Sequence, residues 1–248
     1  MVLANNDRVT VRAGDVFLKI DADANRSARE VEAMTLAPVP TPEVLWRRPP
    51  VLALARVPGA PLDAPGRPSI APPDAWAAVG ATIRQLHDAS PPPWPTPYTN
   101  AARWEGGEAL ADTLDEECRW LVTHKILPPQ IVESNRQRAQ LVVEPWRPVF
   151  IHGDLHIQHV FVEGETVTGV LDWSEAAPGD GAFDLASLTL AHPDRLGDLL
   201  DGYGGGPDLN RIYAWWSYRC LTAVRWLIEN NYGPPDDYPE VVMLRTIA

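Results

Sequence analysis

The sequence has few cysteines, few basic residues and no long apolar segment, and each shortage excludes a class of protein. Its two cysteines, Cys118 and Cys220, lie far apart and match neither a disulfide framework nor a zinc motif, so we expect two buried, reduced thiols. No run of about 18 apolar residues is present, which argues against a membrane span. The first residues, MVLANNDRVTV, lack the basic and apolar regions of a secretory signal. These features predict a cytoplasmic protein.

Basic residues are outnumbered by acidic ones, since 21 Lys and Arg stand against 33 Asp and Glu for a net charge of −12. A negative field disfavours nucleic acid and anionic membrane surfaces as partners. It suits a cationic small molecule better. With 45% hydrophobic and 22% charged residues, the 248-residue chain otherwise has the composition of a globular protein that can bury a large core.

The order of hydrophobic patterns predicts a small β-rich lobe followed by a larger helical lobe. DRVTV and DVFLKI have the character of two strands of a hairpin whose turn is Arg12–Gly14. A segment of helical period follows from Asn25, and then the apolar strand VLALA. A proline-rich stretch separates these segments from a mainly helical remainder. We therefore predict an α+β fold with lobes at residues 1–57 and 74–248, joined by a hinge and linker at 58–73.

One stretch, HGDLHIQHVFVEGETVTGVLDWSEA at residues 152–176, concentrates ionisable side chains around a predicted β-hairpin. A hairpin with its turn at 163–165 brings Asp154, the residue at 159 and Asp172 close together. Two converging carboxylates repel each other unless a cation or a proton lies between them. Hard oxygen ligands suit Mg²⁺ that carries nucleotide phosphates, and phosphoryl transfer uses one carboxylate near the hydroxyl and another on the metal.

These residues resemble the catalytic core of the aminoglycoside phosphotransferase family, relatives of the protein kinases that phosphorylate small molecules. The matching motifs are His-Gly-Asp at 152–154, Asp-Trp-x-Glu at 172–175, Gly-Asp at 179–180 and Asp-Leu-Ala at 184–186. The resemblance implies a two-lobed, protein-kinase-like fold that moves the γ-phosphate of ATP, with Mg²⁺, to a hydroxyl of a small molecule. Aminoglycoside-type or other cationic antibiotics are the first acceptors it implies, as in antibiotic resistance, with amino alcohols and sugars also open.

The resemblance also implies roles in the helical lobe. Asp154 is the catalytic base or orienter of the acceptor hydroxyl, and His152 braces its loop. Asp172 holds Mg²⁺ against the phosphates. Asp180 and Asp184 are expected to be structural, capping the helix that follows them.

On the nucleotide side, the resemblance assigns Lys19 to the α- and β-phosphates. Its helix partner is Glu30, with Glu32 as the fallback. The backbone from Ala55 to Val57 matches the hinge that pairs with the adenine edge. Taken singly, a strand lysine and a helical glutamate are more often solvated residues than site residues, so their position before the hinge and the catalytic loop carries this assignment.

Two departures from the family pattern stand out. The asparagine expected five residues after Asp154 is His159, and an imidazole prefers softer metals than Mg²⁺. His159 is a candidate metal ligand that either contacts the ion poorly, hydrogen-bonds Asp154 instead, or weakens the site. At the N-terminus, six residues precede the first hairpin, so the loop that covers the phosphates is expected to be short or missing.

Two other functions remain open. A catalytically weak, nucleotide-binding pseudo-kinase is favoured by His159 and the short N-terminus. A metal oxygenase with a His152-x-Asp154 pair and a distant histidine is a remote third. For the acceptor site, the acidic stretch from Glu105 to Glu117 is either a wall that meets amino groups or a solvated helix face. Further acidic candidates lie towards the C-terminus: Asp198, Asp201, Glu229, Asp236 and Asp237.

Overall fold

A computed structural model of the chain describes residues 2–4, 8–63, 69–94 and 107–247, and the side chains of 8–63, 69–94 and 109–247. An antiparallel sheet comes first in the chain. Its strands are β1 (Val2–Ala4), β2 (Arg8–Ala13), β3 (Val16–Asp21), β4 (Val44–Arg48) and β5 (Val51–Ala55), in the order β1-β2-β3-β5-β4. The helix α1 (Ala24–Leu36) follows β3 and packs against the segment Trp173–Glu175.

The first hairpin is confirmed, but its turn is shorter than predicted and lies closer to β3. Arg12 and Ala13 are still paired, with Phe17 and Val16, and the chain reverses at Gly14-Asp15. Ahead of the hairpin, β1 pairs with β2 in antiparallel orientation. The expected short phosphate-covering loop falls on residues 5–7, which lie outside the described residues.

The remainder of the chain is mainly helical, with short strands that form the site. Its helices are α2 (Pro73–His87), α3 (Gly107–Thr123), α4 (Pro129–Ala139), α5 (Gly181–Thr189), α6 (Leu196–Tyr203), α7 (Leu209–Glu229) and α8 (Pro239–Thr246). Its strands are β6 (Ala60–Pro61), β7 (Val149–Ile151), β8 (Val160–Glu163), β9 (Thr166–Val170) and β10 (Ala177–Gly179). The α+β prediction is confirmed, whereas β4 and α8 had not been predicted.

Two short sheets position the site. β8 and β9 form the predicted hairpin, and β6, inside the predicted linker, pairs with β8. β7 pairs with β10 through the register Ile151 to Ala177 and Val149 to Gly179. The lobe boundaries at 57 and 73 stay predictions.

The core lies among the helices, around α7. Trp215 and Trp216 are 0% and 3% exposed and belong to the core, whereas Trp226 on the same helix is 54% exposed. Cys118 and Cys220 are free and buried, as predicted. Among the helices in the described ranges, none is long and apolar enough to cross a membrane.

Candidate active site

The loop at residues 152–159, here called the histidine loop, joins β7 to β8. Leu155 and Ile157 are buried, at 2% and 5% exposure, whereas Asp154 and His156 are only partly buried. The apolar residues fasten the loop to the core, because their burial is favourable by about 1.5–3 kcal/mol each. The polar residues that alternate with them are left on its open side.

Asp184, on α5, holds the start of the histidine loop. Its Oδ2 accepts the His152 N–H at 2.7 Å, and its Oδ1 accepts the Gly153 N–H at 3.0 Å. His87 lies 3.3 Å from Oδ2 through its Nε2. Burial would raise the pKa of the Asp184 carboxyl, but the hydrogen bond with His87 and the neighbouring imidazoles lower it. Asp184 is structural, as predicted, but it does not cap α5; Asp180 is the N-cap of that helix.

Gly153 and His152 fix the backbone of this loop. Gly153 has φ +82°, and a Cβ at this position would lie 2.2 Å from the Glu175 carbonyl oxygen, so no larger residue fits. The fully buried His152 ring donates from Nε2 to the Leu171 carbonyl at 2.8 Å, and its Nδ1 accepts the Asp154 N–H at 3.3 Å. Burial lowers the pKa of His152. Its contacts are those of a bracing residue.

Asp172 follows β9 in a left-handed conformation, with φ 61° and ψ 66°. A non-glycine residue in this region is uncommon and is held there by its surroundings. Here Trp173 is fully buried and donates from Nε1 to the Val170 carbonyl at 2.7 Å, while Ser174 Oγ donates to Asp172 Oδ1 at 3.3 Å. The anchored tryptophan sets the direction of the aspartate beside it.

Lys19 and Glu30 meet as the resemblance implied. Lys19 on β3 donates from Nζ to Glu30 Oε1 and, at 3.0 Å, to Asp172 Oδ1. Glu30 on α1 is 1% exposed, whereas Glu32 is exposed, so Glu30 is the partner. β3, α1 and the end of β9 thus meet at Lys19, and His159 of the histidine loop lies 4.0 Å from Asp172; the region between the charged side chains and the histidine loop is called the cleft below.

Arg8 is a member of this site that sequence reasoning missed. Its Nη1 lies 2.7 Å from Asp172 Oδ1, its Nε donates to Asp21 Oδ2 at 2.9 Å, and its Nη2 lies 3.6 Å from Glu30 Oε2. Arg8, Lys19, Asp21, Glu30 and Asp172 together are called the charged cluster below. The register of the hairpin places Arg8 opposite Asp21, and this was the signal that could have revealed it.

Charges within the cluster shift one another's pKa values. Burial alone would raise the pKa of Asp172, but the cations Lys19 and Arg8 hold it well below its usual range. Burial would likewise lower the pKa of Lys19, and Asp172 and Glu30 raise it instead. Lys19 and Asp172 are therefore both charged near neutral pH.

His159 lies between the two predicted catalytic aspartates. Its Nδ1 donates to the backbone carbonyl of Asp154 at 2.8 Å, and its Nε2 is 4.0 Å from Asp172 Oδ2. Of the outcomes left open for His159, the hydrogen bond to Asp154 is thus present, through the backbone rather than the carboxylate. Its Nε2 then faces Asp172.

His156 is a further histidine beside His159, and sequence reasoning gave it no role. The two ring centroids are 3.6 Å apart. Burial lowers the pKa of His156 to about 4, with the neighbouring His159 contributing in the same direction. His156 is therefore neutral at physiological pH.

The predicted hinge follows β5. The N–H of Ala55 donates to the Glu43 carbonyl at 2.9 Å, and that of Arg56 donates to the Asp15 carbonyl at 2.8 Å. Both N–H groups are therefore already hydrogen-bonded. Val57 is 6% exposed and comes directly after them.

The predicted acidic wall is largely paired with arginines. Asp115 accepts from Arg136 on α4 at 2.8 Å. Glu116 and Glu117 both lie within 3.6 Å of Arg225 on α7. These pairs favour the structural, solvated-face interpretation for this part of α3. Glu105 lies outside the described residues.

The C-terminal candidates show the same pairing. Asp198 accepts from Arg195 at 3.1 Å and Glu229 from Arg225 at 2.9 Å. Asp236 accepts from Arg245 at 2.6 Å. Asp201 and Asp237 are exposed.

The donor set fits a nucleotide-bound Mg²⁺ in part. Asp172 supplies a carboxylate at the mouth of the cleft and Lys19 supplies a fixed cation for phosphate, which suits a metal–triphosphate complex. His159 offers nitrogen where Mg²⁺ prefers oxygen, so it fits softer divalent ions better than Mg²⁺.

Comparison with known proteins places these residues in a family context. A protein-family model described as "Phosphotransferase enzyme family" matches residues 4–216. This range includes every member of the charged cluster and the whole histidine loop. A search of curated proteins finds no match.

Several solved structures are similar over the whole chain. The apoenzyme of macrolide 2'-phosphotransferase MphH from Brachybacterium faecium is 21% identical, with a TM-score of 0.65 and coverage of 98% of this chain and 90% of that one. A choline/ethanolamine kinase family protein from Mesorhizobium loti is 19% identical, with a TM-score of 0.66 and coverage of 100% and 87%. The GDP and kanamycin complex of APH(2″)-IIia is 16% identical, with a TM-score of 0.66 and coverage of 100% and 92%. These likenesses confirm the predicted fold.

Proposed function

The chain belongs to the phosphotransferase enzyme family, and we propose that it transfers the γ-phosphate of ATP, with Mg²⁺, to a hydroxyl of a cationic small molecule. Its membership confirms both the resemblance and the class of enzyme predicted from the sequence. The observation that carries the proposal is the convergence of the Lys19–Glu30 pair, Asp172 and the Asp154 loop on one cleft, with His159 in contact with both sides.

On the nucleotide side, Lys19 is the phosphate-binding cation. Glu30 and Asp172 hold its Nζ in place, so little side-chain entropy is lost when phosphate binds. Asp172 would hold Mg²⁺, which when bound supplies neutralisation of the phosphate charge. Because the N–H groups of Ala55 and Arg56 are already hydrogen-bonded to backbone carbonyls, the adenine edge would use the N–H of Val57 and the hinge carbonyls.

On the acceptor side, Asp154 would orient the hydroxyl and accept its proton. The histidine loop presents this carboxylate from a backbone that Asp184, His152 and Gly153 fix in several independent ways. Such rigidity serves catalysis by positioning, because phosphoryl transfer depends on alignment and charge neutralisation more than on covalent chemistry.

The cationic character of the acceptor rests on charge and on relatives. The chain carries a net charge of −12. Kanamycin is bound in the structure of APH(2″)-IIia, and a ternary complex of streptomycin and ATP is known for APH(2″)-IIa. An aminoglycoside-type antibiotic or an amino alcohol is therefore the acceptor class we propose, for a protein that acts in the cytoplasm.

A coupled assay of ADP or GDP release tests the whole proposal. Purified protein with Mg²⁺ and either ATP or GTP is supplied with aminoglycosides, macrolides, other antibiotics and amino alcohols. We expect nucleoside diphosphate release with ATP to rise above the acceptor-free rate for at least one cationic acceptor, with a phosphorylated product of matching mass. Release that never exceeds the acceptor-free rate, in protein that binds nucleotide normally, would favour the pseudo-kinase instead.

The metal role of Asp172 can be tested by binding alone. Asp172→Asn keeps the size of the side chain but removes the charge that faces the metal. We expect Mg²⁺-dependent ATP affinity, measured by calorimetry, to fall by about 10-fold or more, since a lost charge contact of this kind is worth about 1.5–3 kcal/mol. Asp237→Asn, at an exposed position, is the matched control and should bind as the parent does. Equal affinity in the two variants would remove Asp172 from the metal site.

A further inference from the structure

The histidine loop brings three metal-binding side chains together on its open side. One ligand atom from each of Asp154, His156 and His159 lies within 4.8 Å of the other two. We propose that these three residues form a binding site for a divalent transition-metal ion of the zinc class, and that its occupancy inhibits phosphotransfer by engaging Asp154. The inhibitory part rests on the proposed function, whereas the metal site does not.

The cluster follows from the local structure of the loop. Leu155 and Ile157 point into the core, which leaves Asp154 and His156 on the same open side. The His159 N–H donates to the His156 carbonyl at 2.9 Å, and this turn brings the two imidazole rings to 3.6 Å between centroids. Three ligands thus come from six consecutive residues of a braced segment.

The tautomer of His159 suits coordination. Its Nδ1 donates to a backbone carbonyl, so Nε2 is the ring nitrogen that can bind a metal. A metal-binding histidine usually has this arrangement, in which the other ring nitrogen donates to a carbonyl or carboxylate that orients the ring. His156 is held less tightly, because its Nδ1 accepts only the Gln158 N–H at 3.3 Å. A metal bond would replace that weak contact.

The donor set selects the metal. Two neutral imidazoles and one carboxylate are typical ligands of Zn²⁺ and of other late divalent ions, whereas Mg²⁺ prefers oxygen and keeps its waters. Three protein ligands leave Zn²⁺ one open position of its tetrahedral coordination, which water can fill.

This site takes Asp154 and His156 as ligands and not Asp172, although His159 is near both. Asp172 is held by Lys19 and Arg8, and its Oδ2 is 4.0 Å from His159 Nε2. A metal on Asp154 would occupy the carboxylate oxygen that the acceptor hydroxyl needs.

Binding is tested first with Zn²⁺ alone, by calorimetry on the nucleotide-free full chain. We expect one ion per chain, no displacement by millimolar Mg²⁺, and an affinity at least about 100-fold weaker in His156→Ala, since loss of an outer-shell partner alone costs 10–100-fold. His124→Ala is the matched control, because His124 is exposed and distant in sequence from the loop. Wild-type affinity in His156→Ala, or no binding to the parent chain, would overturn the metal site.

A second readout guards against a folding defect. Co²⁺ in a tetrahedral site with nitrogen ligands absorbs visible light, and this band should be present in the parent and in His124→Ala but lost in His156→Ala and His156→Asn. Circular dichroism melting shows whether the two His156 variants are folded. A tetrahedral Co²⁺ band that survives in either folded variant would overturn the ligand assignment.

Inhibition is tested in the coupled assay with whichever acceptor is turned over. His156 has no place in the proposed transfer machinery, so His156→Ala should keep the parent rate without Zn²⁺ and resist added Zn²⁺ by about 10-fold or more in concentration. Chelator should restore the parent enzyme. If Zn²⁺ binds through His156 but the rate is unchanged, inhibition through Asp154 is overturned. If no acceptor is turned over, the proposed function fails while calorimetry still decides the metal site.

Discussion

The two sides of the cleft present polar groups of different kinds. In the charged cluster, Arg8 and Lys19 lie among three carboxylates, and burial is tolerated because each charge has an opposite partner within about 4 Å. In the histidine loop, imidazole rings lie beside Asp154, and the backbone is bonded to a single buried carboxylate, Asp184. The first arrangement suits a highly charged triphosphate. The second suits a proton transfer or a metal ion whose binding depends on pH.

The difference has a consequence for stability. Removing one cation from the charged cluster leaves carboxylates without partners, whereas removing one imidazole from the histidine loop leaves no net charge behind. Substitutions on the two sides should therefore differ in how much they lower the free energy of unfolding and in how that loss depends on pH.

Arg8→Met should have the largest effect on stability. Without Arg8, Asp21 and Glu30 lose a cation in a buried position, and breaking a buried ion pair by removing one partner costs about 3–5 kcal/mol. The free energy of unfolding by denaturant, measured without nucleotide, checks this. Arg12→Met, on the same strand but with a side chain 42% exposed, is the control and should lose less than about 1 kcal/mol. Similar losses in both variants would mean that the cluster is not a stabilising unit.

Acidification should act mainly on the histidine loop. The pKa of His152 is lowered by burial and that of His156 is lowered to about 4, so below pH about 6.5 the unfolded chain binds protons that the folded chain does not. The free energy of unfolding should fall as pH falls from about 6.5 towards 4, by up to about 1.4 kcal/mol per pH unit for each group. Asp172 and Asp184 contribute only at lower pH, because their pKa values are depressed.

Unfolding curves between pH 7 and 5 separate these contributions. His156→Asn should give a shallower dependence on pH than the parent chain, because one of the two groups has been removed. His124→Asn, at an exposed position, should follow the parent. If the free energy of unfolding of His156→Asn depends on pH as steeply as that of the parent, the lowered pKa of His156 in the folded chain is contradicted.

His159→Asn should have the smallest effect, and a favourable one. It restores an oxygen ligand that Mg²⁺ accepts more readily than nitrogen. We expect turnover with Mg²⁺ to rise a few-fold and any preference for Mn²⁺ to decline, in steady-state assays with each metal. A folded but inactive variant would show that His159 has a role of its own, such as holding Asp154 through its backbone carbonyl.

Much of the fold and the site could be predicted because local patterns encode them. The motifs at 152–154 and 172–175 identified both aspartates, and their spacing predicted the hairpin that joins them. Arg8 was missed for a definite reason. With the turn placed at Arg12–Gly14, the register does not put Arg8 opposite Asp21, whereas a turn at Gly14-Asp15 does.

Other features depend on contacts that sequence spacing does not reveal. Asp184 bonds to residues 31 and 32 positions away, so its role at the histidine loop was invisible while a helix cap was the nearest explanation. The strand β4 ends just before Pro49-Pro50 and is partly exposed at Leu45 and Trp46. Its sequence pattern therefore did not distinguish it from a loop. The pairing of His156 with His159 required the turn between them.

The central claim is that Asp154 acts on the acceptor hydroxyl while the charged cluster binds the nucleotide, and Asp154→Ala tests it most directly. Turnover of the identified acceptor and ATP affinity by calorimetry are measured on the same preparation. The account predicts a kcat at least about 10²-fold lower with ATP affinity unchanged. A kcat within a few-fold of the parent enzyme would contradict it.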